Sequence, residues 1–345
     1  MRHGGAPGAH RSLGRSSAAI AQYGSDSRID QKKPGQPHMT APRLALAYAL
    51  DLLLGDPEWF PHPVRWFGSL TRVGERWLRP LRSGPKSELL AGAVLTGSVA
   101  SIGWALGRPK NAMWQALLAW TALATRSLLE EACAVIRAIE ADDLDLARQR
   151  LARIVGRDTV HLDETEISRA VIETLAESAC DGIVAPLFWL AAGGVSCAMS
   201  YKAINTLDSM IGHPEPPYRY FGRVAARLDD AVNLVPARLT ALTIVAAAKI
   251  QGLDAGCAQR IWRRDGYKHA SPNAGQSEAA MAGALGVRLG GANFYDGHPH
   301  HSPLLYAEAR TASVRDARAA VSLVAIVSGL AFGAALMVVA RRSRK

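Results

Sequence analysis

The apolar run Ala320–Ala340 constrains the fold of this chain more than any other segment. Its 21 residues carry no charge, and the basic tail Arg341, Arg342, Arg344 and Lys345 follows directly. About 20 apolar residues in a helix are enough to cross the hydrocarbon core of a bilayer. The run therefore predicts a membrane span, and the basic tail predicts that its end faces the cytoplasm.

Five further apolar runs alternate with polar segments: Leu44–Leu54, Leu89–Leu106, Ala112–Leu129, Ile183–Tyr201 and Val235–Ile250. The first is short for a full span. The second is rich in small residues, which let membrane helices pack closely, and a tight turn joins it to the third. These two runs predict a transmembrane hairpin, although a buried hairpin of soluble helices is the alternative.

The polar remainder of the chain has helical rather than strand-like patterns. Residues 130–155 are amphipathic and predict two soluble helices, and residues 58–70 carry aromatic residues suited to a membrane interface. No strand pattern and no internal repeat is visible. The sequence therefore predicts an all-α, polytopic integral membrane protein with about 4–6 apolar helices and long polar helical loops. Residues 1–38 predict a disordered tail by their composition, and residues 39–345 a single membrane-embedded domain.

The net charge of +10 narrows the classes of partner. A basic protein of this kind binds nucleic acid, an anionic lipid surface or anionic small molecules. No compact basic and aromatic module is present, so nucleic acid is not expected. The four cysteines match no metal or redox spacing and are expected to be free thiols. No phosphate loop, dinucleotide fingerprint, zinc-protease motif or nucleophile elbow occurs.

A carboxylate-rich segment precedes the run Ile183–Tyr201. On an ideal helix, Glu166, Glu173, Glu177 and Asp181 share a sector of about 80°. Neighbouring carboxylates on one helix face repel one another, and a cation bound opposite them offsets this repulsion. The pattern predicts a site for Mg²⁺ or an amine, with a solvated helix face as the equally weighted alternative.

Polar and basic side chains recur on both sides of the same apolar run. Arg157 precedes the acidic helix and suits a bidentate grip on phosphate, although a loop salt bridge is its commoner role. Charged groups at a membrane edge are expensive and usually functional. The candidates after the run are Lys202, Asn205, Asp208, Arg223, Arg227, Asp230, Asn233, Lys268, His269 and Asn273.

Taken together and in order, these segments resemble the CobD/CbiB family of cobalamin biosynthesis, the adenosylcobinamide-phosphate synthases. The matching segments are 51–57, 61–64, 156–158, 176–177, 181–182, 185–188, 201–212, 226–230 with Asn233, and 269–275. The resemblance extends over about residues 41–340. Where the family usually has Asn after the glutamate, this chain has Ser178, so no amide role carries over to that position.

The resemblance implies an enzyme of the cell (inner) membrane with a cytoplasmic active face. It would join aminopropanol, or its O-phosphate, to the free propionate of adenosylcobyric acid. Amide formation from a carboxylate is uphill in water, so ATP and Mg²⁺ are expected to activate the acid as an acyl phosphate. The lipid bilayer and other late cobalamin-pathway enzymes are the further expected partners.

Roles for individual residues follow as hypotheses. The catalytic candidates are Glu177, Asp181, Lys202, Asp208, Asp230 and His269, and the Mg²⁺ candidates are Glu173, Glu177 and Asp208. The candidates for binding substrate or phosphate are Arg157, Asn205, Arg223, Arg227, Asn233, Lys268 and Asn273. A transporter or membrane sensor, whose charged residues line a pathway, is the alternative function.

The topology carries one conflict. If every apolar run spans the membrane, the polar loops alternate sides and the candidate residues cannot meet. Either Ile183–Tyr201 or Val235–Ile250 is therefore re-entrant or buried in protein, or Leu44–Leu54 does not cross.

Overall fold

The structure is a computed structural model that describes residues 39–57, 59–79, 84–295 and 297–344. The predicted disordered tail, residues 1–38, lies outside the described residues. The helices, in chain order, are α1 (Ala41–Leu54), α2 (Pro63–Leu78), α3 (Pro85–Leu106), α4 (Ala112–Trp120), α5 (Thr125–Glu140), α6 (Leu144–Leu151), α7 (Glu164–Ser178), α8 (Ala185–Ile211), α9 (Arg223–Ile250), α10 (Ala255–Asp265), α11 (Ala274–Leu285) and α12 (Val314–Arg342). A π-helical turn, Ala179–Val184, joins α7 to α8, and two strands, β1 (Leu289–Tyr295) and β2 (His298–Leu305), precede α12.

Four helical segments of the described chain are long and apolar enough to cross a membrane. They are α3, the α7–α8 segment, α9 and α12. Non-helical backbone at Gly194 (φ 72°, ψ −163°) divides α8 into two helical parts. The mostly helical fold and the prediction of several membrane-capable helices are confirmed, and α12 has the highest mean hydropathy of the four, 2.5. The two soluble helices expected in residues 130–155 correspond to α6 and most of α5.

The predicted transmembrane hairpin is wrong in its second arm. The run Ala112–Leu129 does not form one helix, because α4 ends after nine residues at Trp120 and α5 begins at Thr125. Nine residues span about 14 Å, which is half of a bilayer core. Both carboxylate oxygens of buried Asp51 accept the Thr125 N–H at 3.1 Å, and this contact fixes the start of α5 at the break.

The β-hairpin was not predicted from the sequence. β1 and β2 pair antiparallel, from Leu289 opposite Leu305 to Tyr295 opposite His298. The two strands are rich in Gly, His and Pro, which are weak strand formers, so no alternation of apolar and polar residues marks them. Gly290, at φ 81°, lets β1 approach β2 closely, because an added Cβ would lie 2.1 Å from the Pro303 oxygen. The expectation of an all-α chain is therefore corrected by one small hairpin.

The α7–α8 segment runs through the protein interior rather than along its surface. In its most apolar window, 72% of the residues are buried inside the protein. α5, α11 and α12 pack around α7, and α3 and α9 pack along α8. Asn205, after the break at Gly194, donates to the Asp181 carboxylate, before it, at 3.0 Å, so the chain turns back on itself within this segment. This reversal fits the alternative in which Ile183–Tyr201 is re-entrant or buried in protein. α1 is only 14 residues long, as expected of a segment too short to span.

A candidate site where α8 and α9 meet

A polar cavity of about 170 Å³ lies between the π-helical turn, the end of α8, the start of α9 and the segment that leads into α11. Four carboxylates line it, from Glu177, Asp181, Asp208 and Asp229. The remaining lining residues are Cys180, Asn233, His269, Ser271, Asn273, Ala274 and Ser277. Carboxylates gathered in one enclosed space repel one another, and a bound cation relieves that repulsion. The cavity is therefore suited to an ammonium group or a divalent cation.

Asp181 is held by donors from α8. Asn205 Nδ2 donates to its Oδ2 at 3.0 Å, and the Tyr201 hydroxyl lies 3.4 Å from its Oδ1. Lys202 Nζ donates to the main-chain oxygen of Asp181 at 3.3 Å. This oxygen lies in the π-helical turn, a widened turn that is frequent at functional sites. The turn thus gives Lys202 an acceptor while the Asp181 side chain faces the cavity.

Asp229 is held in the same network from α9. Asn233 Nδ2 donates to its Oδ2 at 3.0 Å, and Asn205 Nδ2 lies 3.5 Å from its Oδ1. Asn233 also accepts from the Tyr201 hydroxyl at 3.1 Å. Asn205 thereby bridges the carboxylates of two helices, and the predicted binding residues Asn205 and Asn233 position acids here.

The third wall of the cavity comes from the segment before α11. Helices α10 and α11 pack back against α9, so that Asn273 Nδ2 donates to the Asp230 main-chain oxygen at 2.8 Å. Ser271 Oγ donates to the Asp230 carboxylate at 3.0 Å. Asp230 thus tethers this wall from behind, and its neighbour Asp229 lines the cavity.

His269 and Glu278 add titratable groups near the third wall. Burial lowers the pKa of His269, and the nearby charge of His300 lowers it further. Its Nδ1 accepts from the Ser271 N–H at 3.4 Å, which leaves Nε2 as the protonated nitrogen of the neutral ring. Burial, together with the charges of Glu173 and Glu177, raises the pKa of Glu278 well above its ordinary value. The sequence prediction named His269 but missed Glu278.

Arg157 and Glu173, which were both predicted as site residues, bind each other and do not line the cavity. Arg157 donates to Glu173 at 2.5 Å, and both side chains are nearly buried. Arg169 donates to the other Glu173 oxygen at 3.0 Å, and the Gly290 N–H donates to it at 2.8 Å. Glu173 therefore has two cations and a backbone donor already, which makes it unsuited to bind Mg²⁺, and Arg157 is a structural partner of the β-hairpin.

The other predicted basic residues lie outside the cavity lining. Arg223 and Arg227 are exposed, and Arg227 lies 3.9 Å from Asp230. Lys268 pairs with Asp265 at 2.7 Å. Glu166 was predicted to belong to the acidic helix face. In the structure it forms a capping box with Asp163 at the start of α7. The predicted four-carboxylate face thus divides, and only Glu177 and Asp181 reach the cavity.

Sequence reasoning missed Asp229, Tyr201 and Cys180 as members of this site. Asp229 is one of an Asp-Asp pair, and one helical step decides which of the two faces the cavity. Tyr201 and Cys180 look like members of apolar runs. Their polar contacts are visible only in the structure. The Tyr201 hydroxyl donates to the Asn233 side-chain oxygen, and Cys180 Sγ lies 3.9 Å from the same oxygen. All four cysteines are free thiols, as expected.

A second cavity, of about 250 Å³, shares Lys202 with this site. The loop before α2 contributes Asp56 and His62, α2 contributes Val64 and Arg65, and residues 121–124 form the opposite side. His62 Nε2 lies 3.3 Å from Asp56 Oδ1. Lys202 lines this second cavity while its amine contacts the Asp181 turn of the first.

The carboxylate oxygens of the cavity are suitable ligands for Mg²⁺. Glu177, Asp208 and Asp229 supply oxygen ligands, which Mg²⁺ prefers, and this ion usually takes one or two carboxylates together with substrate phosphates. Within the described part of the chain, no three acidic, His or Cys side chains already converge as a preformed metal site. The oxygen ligands of the cavity are of the type that Mg²⁺ takes.

Comparisons with known proteins agree on one family. The family model described as CobD/Cbib protein matches residues 44–324. "Cobalamin biosynthesis protein CobD" of Pelobacter propionicus is 49% identical over 265 residues, or 74% of this chain and 81% of that protein. "Cobalamin biosynthesis protein CbiB" of Salmonella typhimurium is 42% identical over 314 residues, or 88% of this chain and 98% of that protein. No solved structure matches the chain.

Proposed function

Because the chain belongs to the CobD/CbiB family, we propose that it is a membrane enzyme of cobalamin biosynthesis that forms an amide bond. It attaches 1-amino-2-propanol, or its O-phosphate, to the free propionate of adenosylcobyric acid. The observation that carries this proposal is the carboxylate cavity, where Glu177, Asp181, Asp208 and Asp229 surround a space that fits an ammonium group. The matched family supports a role in cobalamin biosynthesis.

The amine substrate reaches the cavity as an ammonium ion, which the carboxylates attract. It must lose a proton before its nitrogen can attack a carbonyl carbon. Asp229 is held by the Asn205 and Asn233 amides and lines the cavity, so it takes this proton in our proposal. His269 is the alternative acceptor, because its lowered pKa keeps the ring neutral at physiological pH.

The propionate must be activated, because hydroxide is too poor a leaving group. In the proposed reaction a propionate oxygen attacks the γ-phosphorus of ATP, forming an acyl phosphate and releasing ADP. The amine nitrogen then attacks the acyl carbon, the C–O bond to phosphate breaks, and inorganic phosphate leaves. Mg²⁺, held by Glu177 and Asp208 with the substrate phosphates, would supply charge neutralisation for this transfer.

Lys202 is the basic residue that we assign to the anionic oxygens. Its amine lies at the wall between the two cavities, on the main-chain oxygen of Asp181. Ammonium and phosphate charges attract strongly in a space from which water is largely excluded. We therefore propose that Lys202 stabilises the charge that develops on phosphate or on the acyl oxygen.

The test is a direct assay in membrane vesicles that carry the protein. Adenosylcobyric acid, ATP and Mg²⁺ are supplied with aminopropanol in one assay and with its phosphate in another, and the corrinoid product and inorganic phosphate are measured. One phosphate released per amide formed, with no product when ATP is omitted or EDTA is added, is the expected result. Amide formation without ATP would overturn the acyl-phosphate route, and absence of product with either amine would overturn the reaction.

A transporter remains the alternative of another class, and the same vesicles discriminate it. Uptake of labelled corrinoid into sealed vesicles without chemical change would favour transport. The proposed enzyme converts the corrinoid instead, and it does so equally well in vesicles made permeable. The backbone reversal at Gly194 supports the enzyme, because it gathers polar groups from both parts of the α7–α8 segment around one cavity.

A further inference from the structure

Helix α2 carries an apolar stripe whose four side chains are all at least one third exposed in the described chain. The stripe consists of Trp66, Leu70, Val73 and Trp77, whose side chains are 45%, 37%, 53% and 81% exposed. Their spacing of four, three and four residues puts them within a sector of about 60° on the helix. Four large apolar side chains in one exposed row are more than a soluble surface usually carries, and they mark a contact with lipid or protein.

A basic stripe runs beside the apolar one. Arg72 and Arg76 are exposed, and they lie about 110° around the helix from the centre of the apolar stripe. Arg72 donates to Ser69 at 3.1 Å, and within the described residues neither arginine forms an ion pair. The third sector of α2, around Phe67, Gly68 and Thr71, is buried against the protein.

The contacts of α2 with α3 and α8 show which part of the protein carries the apolar and basic stripes. A Cβ added at Gly68 would lie 3.5 Å from Sδ of Met210, one residue before the end of α8, and one added at Gly74 would collide with Leu95 in α3. α2 therefore crosses the α3–α8 pair near the end where α8 finishes. α3, which packs against α2, also has exposed apolar side chains, including those of Leu90 and Val94.

Aromatic and basic residues cluster at the same end of these helices. Arg79 stacks over the Tyr218 ring at 5.3 Å, and Arg219 over the Tyr220 ring at 5.6 Å, in the loop between α8 and α9. Aromatic rings with a polar edge, together with arginines, are enriched where hydrocarbon meets headgroups. A helix with one apolar stripe and one arginine stripe at this level is suited to lie flat in that boundary.

We propose that α2 is an in-plane interfacial helix that binds a membrane surface rich in anionic phospholipid. Trp66, Leu70, Val73 and Trp77 enter the outer part of the acyl region, and Arg72 and Arg76 bind lipid phosphates. The arginine stripe selects an anionic lipid over a second protein copy, which would bring two sets of like charges together. α2 thereby fixes the depth of the α8–α9 end, where the carboxylate cavity lies.

The depth of Trp77 is measured by fluorescence quenching in vesicles of phosphatidylcholine and phosphatidylglycerol. The acyl chains carry bromine either near the headgroup or near the terminal methyl. Wild type is compared with Trp77→Phe, and the difference isolates the Trp77 signal. We expect shallow bromines to quench this signal at least about twofold more than deep ones, as for an indole at the interface. The control Trp262→Phe should remove a signal that neither lipid quenches, because that ring packs against the buried core and donates to Gln276.

Two results of this experiment would overturn the proposal. Equal or stronger quenching by deep bromines would make α2 the lipid face of a span. A Trp77 signal that neither lipid quenches would mean that the stripe faces water or another protein, including a second copy of this chain.

The lipid preference is tested with spin-labelled lipids. Wild-type protein should immobilise more spin-labelled phosphatidylglycerol than phosphatidylcholine, and the double variant Arg72→Gln, Arg76→Gln should lose most of that preference. The matched double variant Arg260→Gln, Arg263→Gln on α10 should retain it. An unchanged preference in the α2 variant, or no preference in wild type, would contradict the role assigned to the arginines.

Discussion

Arg157 donates to Glu173 across 2.5 Å, and this nearly buried ion pair ties the loop before α7 to the helix itself. Arg169 and the Gly290 N–H bind the same carboxylate, so Glu173 joins α7 to the β-hairpin. From the sequence, Arg157 was predicted to bind substrate or phosphate, and Glu173 was predicted to bind Mg²⁺. In the structure they hold the framework behind the cavity.

Glu173→Gln should destabilise the protein strongly. The substitution leaves Arg157 and Arg169 buried beside a neutral amide, and loss of one partner from a buried pair costs about 3–5 kcal/mol. Thermal unfolding in detergent is the measurement. Glu140→Gln, at the exposed pair with Arg318, is the control and should shift the midpoint far less. Equal shifts for the two variants would contradict the structural role of Glu173.

Asp229→Asn should abolish catalysis while the protein stays folded. An amide cannot accept the proton from the amine, and loss of such a group costs about 10²–10⁴ in rate. Asp230→Asn is the matched control, because Asp230 binds Ser271 behind the cavity wall and should retain far more activity. Product formation in vesicles is measured, with detergent gel filtration as the check on folding. A greater loss of activity in Asp230→Asn than in Asp229→Asn would contradict the assignment of Asp229 as the proton acceptor.

Asp51 makes stability depend on pH in a defined window. Burial raises its pKa from 3.8 to about 6, in spite of the bonds from Thr125. The folded state therefore binds this proton more tightly than the unfolded chain, so stability is lost as the pH rises from about 4 to about 6. The difference in unfolding free energy between wild type and Asp51→Asn should fall by about 3 kcal/mol across that window.

Denaturant unfolding in detergent at several pH values measures this difference. Asp142→Asn, at an exposed position in the turn after α5, should follow the wild-type profile throughout. A parallel course of wild type and Asp51→Asn would show that Asp51 does not titrate in this window.

Gly103→Ala should disrupt the packing of α3 on α8. A Cβ at position 103 would lie 2.7 Å from the Met199 oxygen, which is backbone and cannot move aside alone. Close approach through small residues is how helices associate in membranes. Gly97→Ala is the matched control on the same helix, because no atom lies within 4 Å of its added Cβ. Thermal unfolding should show a lowered midpoint for position 103 only, and a similar midpoint for both variants would contradict this packing.

The helical, membrane-capable character of the chain could be predicted because it depends on local composition. The run Ala320–Ala340 is apolar over its whole length, and no tertiary contact is needed to make it long enough for a span. The prediction of a second hairpin arm over residues 112–129 failed for the opposite reason. Its break depends on Asp51, which is far away in the sequence and binds the Thr125 N–H.

The candidate site was predictable only in part. Glu177, Asp181, Asp208, Asn233, His269 and Asn273 were named from the sequence and line the cavity. Asp229 and Asp230 are adjacent, and the sequence alone does not say which of them faces inward. Arg157 and Glu173 carry the right charges for a site, but they bind each other and neither lines the cavity.

The sequence by itself determined the classes of residue available: apolar runs of spanning length, a carboxylate-rich helix, and polar groups around one enclosed segment. These follow from composition and spacing, which act over a few helical turns. The tertiary structure alone decided which charges neutralise each other and which face the cavity, since that choice depends on distances between segments far apart in the chain. Glu173 meets arginines and becomes structural, whereas Glu177, one helical turn later, meets carboxylates and opens onto the site.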